Sequence, residues 1–551
     1  MDGILVRMKS RFRRSASSAP QGSVDGFLGA PVRRQSPAHP DHAMPSQPTP
    51  ELRARQIGNF QQAEGYHPTD MATPSKAQSG EPTMLNMTLP SEFSAPPQQS
   101  PAVKSHRLSW RAIRKWTKRT VLAVVVLAIL GGGFLFAKGY SNLHKVFKGS
   151  GKTAVALQSN ASLADLKTEG DARVNILLLG IGGLGHDGPD LTDTMLIASI
   201  DPVNHTTALV SIPRDLWVTI PHRGSMKINA AYETGKYAYL GKQSADNKDT
   251  KAIDAGFASA DSIVSQVTGV SIQYNVLLNF QAFEQAVNTV GGVTITVPTT
   301  LYDPTMAWEN GGNPVLAKAG VQTFNGLRAL FYVRSRETTS DFARTQRQRA
   351  VIVALMQKVF TLGTLSNPIK ITQLIDAFGS NVVTDISLGD MSKMYSVLRG
   401  IDLNSAQSIG LADPPNNFVT TGRIGTQSVV MPRAGLNNYT AIQAYIRSML
   451  PDGHIVKEAA KVAVLNGTPH SAVLASKVAT LKSYGYTIVS SADAPSHDYS
   501  KTVVVDLTNG KDPYTAHYLQ NRFGVKPVTA LPAGVTVSGA DFVIILGQDQ
   551  I

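Results

Sequence analysis

Six arginines crowd the stretch from Asn325 to Ala350, NGLRALFYVRSRETTSDFARTQRQRA: Arg328, Arg334, Arg336, Arg344, Arg347 and Arg349. They are interleaved with apolar residues, unlike the plain basic run of a solvated tail. Forked guanidinium donors match phosphate oxygens in pairs, and the unpaired amides at a helix N-terminus favour an anion. Phe331, Tyr332 and Val333 read as a short buried piece that delivers Arg334 and Arg336 to the end of an element. From Phe342 to Phe360 the spacing turns helical, with Val351, Leu355 and Val359 continuing the stripe begun by Arg344 and Gln348. Each arginine alone suits a solvated helix face; the set points to a phosphate-type site.

A second group of chemically able residues lies upstream. Val174 to Leu179, VNILLL, has the continuous apolar character of a strand buried on both faces. It leads into GIGGLGHDGPDLTDT, a loop with five glycines and the carboxylates Asp187, Asp190 and Asp193. Such a loop can turn backbone amides toward phosphate, but it lacks a P-loop lysine. Strands are expected at Met195 to Ile200 and Thr207 to Ile212. The second ends in SIPRD, placing Arg214 and Asp215 just past a strand's carboxyl end, where open α/β sheets bind ligands. An internal Arg214–Asp215 ion pair is the competing reading, as is a turn-capping role for Asp193. MKINAAYETG is expected to begin a helical turn carrying Lys227. His186 reads as a solvated loop residue, and Trp217 and Trp308 as packing residues.

These residues need a scaffold, and the remaining pattern supplies one. Ile253, Phe257, Ala260, Val264 and Val267 mark an amphipathic helix stopped by Gly269. A strand from Tyr274 to Leu278, a helix from Phe280 to Val290 and a strand in GGVTITVP follow. The alternation predicts a layered α-β-α domain with a mixed central sheet over residues 172–450. After a linker at 451–460, strand-like VAVLNG, YTIVSS, KTVVVDL and DFVIILG with two helical stretches predict a small α/β domain at 461–551.

Composition bounds the rest. The chain has 551 residues and no cysteine, so disulfides and Cys-ligated metal centres are excluded. Its net charge of +13 is concentrated: residues 1–119 hold 17 Lys/Arg against 8 Asp/Glu. A basic, nucleic-acid-binding domain surface is therefore not indicated. Residues 1–104 are rich in Pro, Gln and Ser and read as a disordered tail. A basic segment at 105–119 precedes an uncharged run, VLAVVVLAILGGGFLFA, within a predicted transmembrane anchor at 120–138, and a polar spacer occupies 139–171. The positive flank places the N-terminus in the cytoplasm and the later domains outside the cell membrane.

Taken in order, LLLGIGG, DLTDTML, SIPRDLWV, KINAAYETG, NFQAFEQAVNTVGGVTITVP and FYVRSRETTSDFARTQRQR resemble the LytR-CpsA-Psr family. VAVLNGTP and the closing DFVIILGQD resemble the C-terminal domain that often accompanies it. The resemblance implies a membrane-anchored phosphotransferase that moves a glycopolymer, of teichoic acid, capsule or arabinogalactan type, from polyprenyl pyrophosphate to a peptidoglycan hydroxyl. It further implies that Arg214, Arg334, Arg336, Arg344, Arg347 and Gln348 hold the pyrophosphate, with Lys227 at its rim. Asp193 matches the metal-binding aspartate, for Mg²⁺ or Mn²⁺, and Asp341 would hold the arginines or act as general base. Asp193, Arg214, Arg336, Asp341 and Arg344 form the implied catalytic set. Two departures stand out: Gly182 where the family commonly has an aspartate, and Leu191 where it has an arginine. Asp187, Asp190 or His186 could replace the missing metal ligand, because Mg²⁺ needs only one or two carboxylates. The competing function is a non-catalytic wall scaffold binding the same lipids or glycan.

Overall fold

The computed structural model describes residues 153–244, 249–361, 379 and 381–551, all within one compact unit spanning Ser105–Ile551. The expected tail and transmembrane anchor lie outside the described residues. Among the described residues, no helix is long and apolar enough to cross a membrane.

The chain first lays down β1 (Val174–Ile181), β2 (Thr192–Asp201) and β3 (Thr206–Ser211), then the hairpin β4 (Trp217–Ile220) and β5 (Gly224–Lys227). Helices α1 (Ala231–Leu240) and α2 (Thr250–Thr268) follow, then β6 (Tyr274–Asn279) and α3 (Phe280–Thr289). A side lobe holds β7 (Val293–Val297), β8 (Leu301–Tyr302), β9 (Val315–Ala317), β10 (Gly320–Phe324) and α4 (Gly326–Arg334). The long helix α5 (Asp341–Thr361) returns to the sheet, followed by β11 (Val382–Thr384), α6 (Leu388–Leu398) and β12 (Gln407–Gly410). The hairpin β13 (Val419–Ile424) and β14 (Gln427–Pro432) and helix α7 (Thr440–Met449) complete this domain.

The central sheet runs β11-β6-β1-β2-β3-β12. β1 pairs parallel with β6 but antiparallel with β2, and β3 pairs parallel with β12, so the sheet is mixed. Alternation along the strands sends side chains to two cores. Leu177, Leu179, Met195, Ile197 and Val210 meet Phe257, Ala260 and Val264 of α2 and Ile442 and Ile446 of α7. On the other face Val174, Ile176, Ala198 and Leu209 meet Met394 of α6 and the α5 residues Ile352, Val353 and Met356. This is the expected three-layer α-β-α arrangement. Gly269, at φ +73°, ends α2 in the left-handed conformation that glycine adopts without penalty.

Tertiary partners decide three local details. Phe331, Tyr332 and Val333 are buried as expected, in helix α4 against the lobe's core, and bring Arg334 to the helix end. Lys227 closes strand β5 opposite Trp217 and also stands as N-cap of the 3-10 turn Ile228–Ala230, so the expected helical turn begins just after it and runs into α1. β7 leaves the central sheet and pairs with β10, which creates the side lobe.

The C-terminal module carries α8 (Gly453–Glu458), β15 (Lys461–Asn466), α9 (Ser471–Ser483), β16 (Thr487–Asp493), β17 (Val503–Asp506), α10 (Pro513–Phe523) and β18 (Phe542–Leu546). Its sheet runs β16-β15-β18-β17. Residues 163–171 are more than a spacer. Leu166 is buried in the module's core, and its carbonyl accepts from Asn521 at 3.3 Å and faces His517 Nε2 at 2.7 Å. Glu169 accepts from Arg522 at 2.6 Å and Tyr486 at 3.0 Å.

Candidate functional site

A cavity of about 650 Å³ opens at the carboxyl ends of β1 and β6. Its inner wall is apolar: Leu178, Val276, Leu278, Phe283, Leu330 and Ile352 are among its lining. Its polar end gathers Asp193, Arg214, Arg334, Arg336, Arg344 and Gln348. One end therefore suits charge and the other hydrocarbon.

Each arginine arrives on a different element. Arg214 follows β3 and meets Asp193 of β2 at 2.6 Å, with Asp215 at 3.7 Å and Asp341 at 4.0 Å. Burial draws its pKa down, but these three carboxylates outweigh it and the net direction is up. Arg334 is the last residue of α4, a helix started by Asn325, whose side chain accepts from the Arg328 amide. Gly326 opens that helix because a Cβ there would lie 2.1 Å from the Glu284 carbonyl, so glycine lets α4 press against α3. Arg334 forks onto Glu309 at 2.7 and 3.2 Å and stacks over Phe280. Arg336 lies on the connection to α5, half exposed beside Glu337.

Arg344 enters from the first turn of α5, where Ser340 caps the helix by accepting from Ala343. It is 4% exposed. Asp341 faces it at 2.5 Å, yet burial dominates and lowers its pKa. Arg214 Nε and Arg344 Nε are buried and make no hydrogen bond within the protein. Buried donors of this kind cost free energy unless a partner satisfies them. They sit where the helix dipole also favours an anion.

The remaining expected residues fall differently. Gln348 lines the cavity and donates to the Val333 carbonyl at 3.4 Å. Lys227 is held by Asp215 at 2.6 Å, off the cavity lining. Arg347 is a correction: its guanidinium turns away, donating to the carbonyls of Tyr332 and Ser335 and to Thr339 Oγ1, so it pins α4 to α5. Asp190 is a second correction. It is buried against Lys236 and Tyr237, each at 2.8 Å, and is not placed to ligate a metal. Trp308 is a third: it is 79% exposed and not packed. Sequence reasoning missed Phe280, Glu309 and Asn229. Asn229 lies 3.5 Å from Asp193; KINAAY held a signal for it that Lys227 overshadowed.

Among the described residues no three His, Asp or Glu side chains form a metal-binding group. Asp193, part exposed at the cavity and fixed by Arg214, supplies one carboxylate, and Asp187 lines the same wall. That set fits a hydrated magnesium ion, which requires few protein ligands. At Gly182 a Cβ would lie 2.9 Å from His186 Cβ, and the His186 ring packs edge-on against Phe280 at 5.1 Å. His186 thus fills the space beside the missing side chain.

Residues 138–429 match the LytR_cpsA_psr family, and residues 459–549 match the domain described as LytR cell envelope-related transcriptional attenuator. The chain is 30% identical over 303 residues to the polyisoprenyl-teichoic acid–peptidoglycan teichoic acid transferase TagU of Oceanobacillus iheyensis, covering 54% of this chain and 84% of that protein. It is 30% identical over 287 residues to the cell wall biosynthesis protein LcpA of Corynebacterium glutamicum, covering 48% of this chain and 53% of that one. The crystal structure of B. subtilis TagT aligns with a TM-score of 0.39 at 23% identity, over 55% of this chain and 99% of TagT.

Proposed function

Because the chain belongs to the LytR-CpsA-Psr family, we propose that it is a glycopolymer transferase that takes a polyprenyl-pyrophosphate-linked glycan and joins it to a peptidoglycan hydroxyl. The relatives named as teichoic acid transferases support this reading. The observation that carries it is the convergence of Arg214, Arg334, Arg336 and Arg344 at the polar end of a cavity that is otherwise apolar. A lipid pyrophosphate has the same division of charge and hydrocarbon.

In this mechanism the acceptor oxygen attacks the glycan-bearing phosphorus. The bond to the bridging oxygen and the acceptor's O–H bond break, a phosphodiester forms, and the lipid monophosphate departs with the acceptor's proton. Arg214 and Arg344 turn their buried donors to the phosphates, and Arg334 and Arg336 hold the outer face. Asp341 Oδ1 stands between Arg214 and Arg344 and offsets the charge of both. Asp193, with Asp187 in reach of the same wall, would hold Mg²⁺ or Mn²⁺, which would offset charge on the leaving oxygen. The apolar wall shelters the polyprenyl chain. The reaction belongs outside the membrane, where the wall acceptor is found, with residues 120–138 as the anchor.

The test incubates the full chain with a synthetic polyprenyl-pyrophosphate oligosaccharide, a peptidoglycan fragment and Mg²⁺. Mass spectrometry then looks for the phosphodiester conjugate with wild type and Arg336→Ala. Conjugate from wild type alone supports the transferase. Lipid binding without conjugate, across several acceptors, would leave a lipid-binding wall protein instead.

A further inference from the structure

Arg334 at the end of α4, and the connection that carries Arg336, are tied to a shelf outside the cavity, formed by Tyr302 to Asn313. Three tethers make the connection. Arg334 forks onto Glu309, Ser335 Oγ donates to Asp303 at 2.6 Å, and Thr338 Oγ1 donates to the Tyr302 carbonyl. Asp303 and Ser335 are both buried, so this end of the shelf cannot drift relative to Arg334 and Arg336.

The shelf itself is stiff. Met306 is buried in the lobe core. The amides of Glu309, Asn310 and Gly312 donate back to Met306 and Ala307 at 2.8 to 3.2 Å. Gly311 and Gly312 adopt φ of +63° and +87°, which closes the turn tightly behind Trp308. On this rigid turn the Trp308 side chain is 79% exposed, and Tyr302 is 49% exposed. An indole held in water on a fixed backbone turn, next to the Glu309 that pairs with Arg334, has no packing role.

We infer that this shelf is the subsite for the sugar next to the pyrophosphate, with the Trp308 indole stacking on a pyranose face. The inference rests on the transferase reading above. With hydrocarbon in the cavity and phosphates on the arginines, the first sugar must project from the arginine end, and the shelf is bonded to that end. Pyranose rings offer an apolar C–H face and a rim of hydroxyls. The indole matches the face, while Asn310 and Asn313 on the same turn bring amide groups to the shelf. The stretch from Tyr302 to Asn313 holds no Lys or Arg, which argues against an anionic lipid surface as the occupant.

The experiment uses the full chain in detergent micelles and two probes, farnesyl pyrophosphate and farnesyl pyrophosphate carrying one glucosyl residue. Kd is measured for wild type, Trp308→Ala and Trp308→Phe. The glucosylated probe should bind wild type more tightly than the bare one. Trp308→Ala should weaken it by up to about tenfold without altering the bare probe, and Trp308→Phe should retain most of the affinity. Equal affinities for both probes, or no effect of Trp308→Ala, would overturn the subsite and leave the arginine site standing. Failure of wild type to bind farnesyl pyrophosphate would overturn the transferase reading and this inference with it. In a second arm, fluorescence of wild type minus Trp308→Phe is followed in brominated phosphatidylglycerol vesicles. Quenching of that difference signal would make Trp308 a membrane contact and overturn the sugar assignment.

Discussion

Replacing Lys236 by methionine removes a charge from one of the most enclosed ion pairs in the protein. Lys236 Nζ lies 2.8 Å from Asp190 Oδ2, with the two side chains 0% and 1% exposed. Methionine preserves the length and the apolar stem, so the packing change is small. The charge change is large: Asp190 keeps the Tyr237 hydroxyl at 2.8 Å but loses its ammonium partner. Breaking one side of a buried pair costs about 3–5 kcal/mol, a sizeable part of the about 5–15 kcal/mol that holds a domain folded. The double variant Asp190→Asn/Lys236→Met removes both charges of the pair, leaving only the half-buried Glu233 without its Lys236 neighbour, and should recover much of that loss. A coupling of about 2 kcal/mol or more between the sites is therefore expected. Urea unfolding of wild type, both single variants and the double variant at pH 7 measures it. A loss below about 1 kcal/mol for Lys236→Met, or a double variant equal to the sum of the singles, would refute the reasoning. The same proteins separate bracing from ligation: folded Asp190→Asn should titrate with Mg²⁺ as wild type does.

Four further outcomes are expected. Arg347→Ala should lower stability by about 2–4 kcal/mol, since three oxygens on α4 and its following loop lose their donor, whereas half-exposed Arg336→Ala should shift stability by about 0.5 kcal/mol or less and abolish conjugate formation; thermal melts and product analysis read the contrast. Gly182→Asp alone meets the His186 Cβ at 2.9 Å, so calorimetric Mg²⁺ affinity should rise about tenfold only in Gly182→Asp/His186→Gly, which removes that atom; equal affinities for single and double variants would sink that account. Burial pushes the Asp261 carboxyl up to about 7, against the opposing hydrogen bond from Asn275. The folded state then binds the extra proton, so this stabilising contribution is full below the unfolded pKa and is lost as pH rises toward 7; Asp261→Asn should flatten the stability slope between about pH 4 and 7, as denaturation at stepped pH would reveal.

Periodic signals made the scaffold readable. The apolar run of VNILLL, the spacing from Ile253 to Val267 and the terminating Gly269 each encode one element locally, so β1 and α2 emerge where expected. Elements chosen by long-range partners were less visible. FYV has the composition of a strand, yet the lobe core wraps it as helix, and Lys227 is extended because β4 lies opposite. The site shows the same division. That Arg334, Arg336 and Arg344 serve one anion site was legible in their density, and that Arg214 joins them in the same cavity was implied by the family resemblance. Which neighbouring arginine turns inward was not: Arg344 and Arg347 are three residues apart on α5, and their different rotations about the helix decide that one faces the cavity and the other the α4 carbonyls. Asp190 illustrates the same limit, since its partner Lys236 lies 46 residues away.

The chain is held twice before the central sheet begins. Ala154 and Leu157 are buried against Val174 and Ile176, with the Ala154 amide donating to the Tyr274 hydroxyl at 2.9 Å and Thr153 Oγ1 donating to Asp390 at 2.9 Å. Residues 163–171 then cross to the C-terminal module, with Leu166 sunk in that module's core and Glu169 clasped by Arg522 and Tyr486. A pull on the chain from its N-terminal side is therefore met first at β6 and α6 and next in the C-terminal module, before it reaches β1. The stretch 153–171 thus acts as a strain relief, taking up tension ahead of the strand whose far end forms the cavity wall.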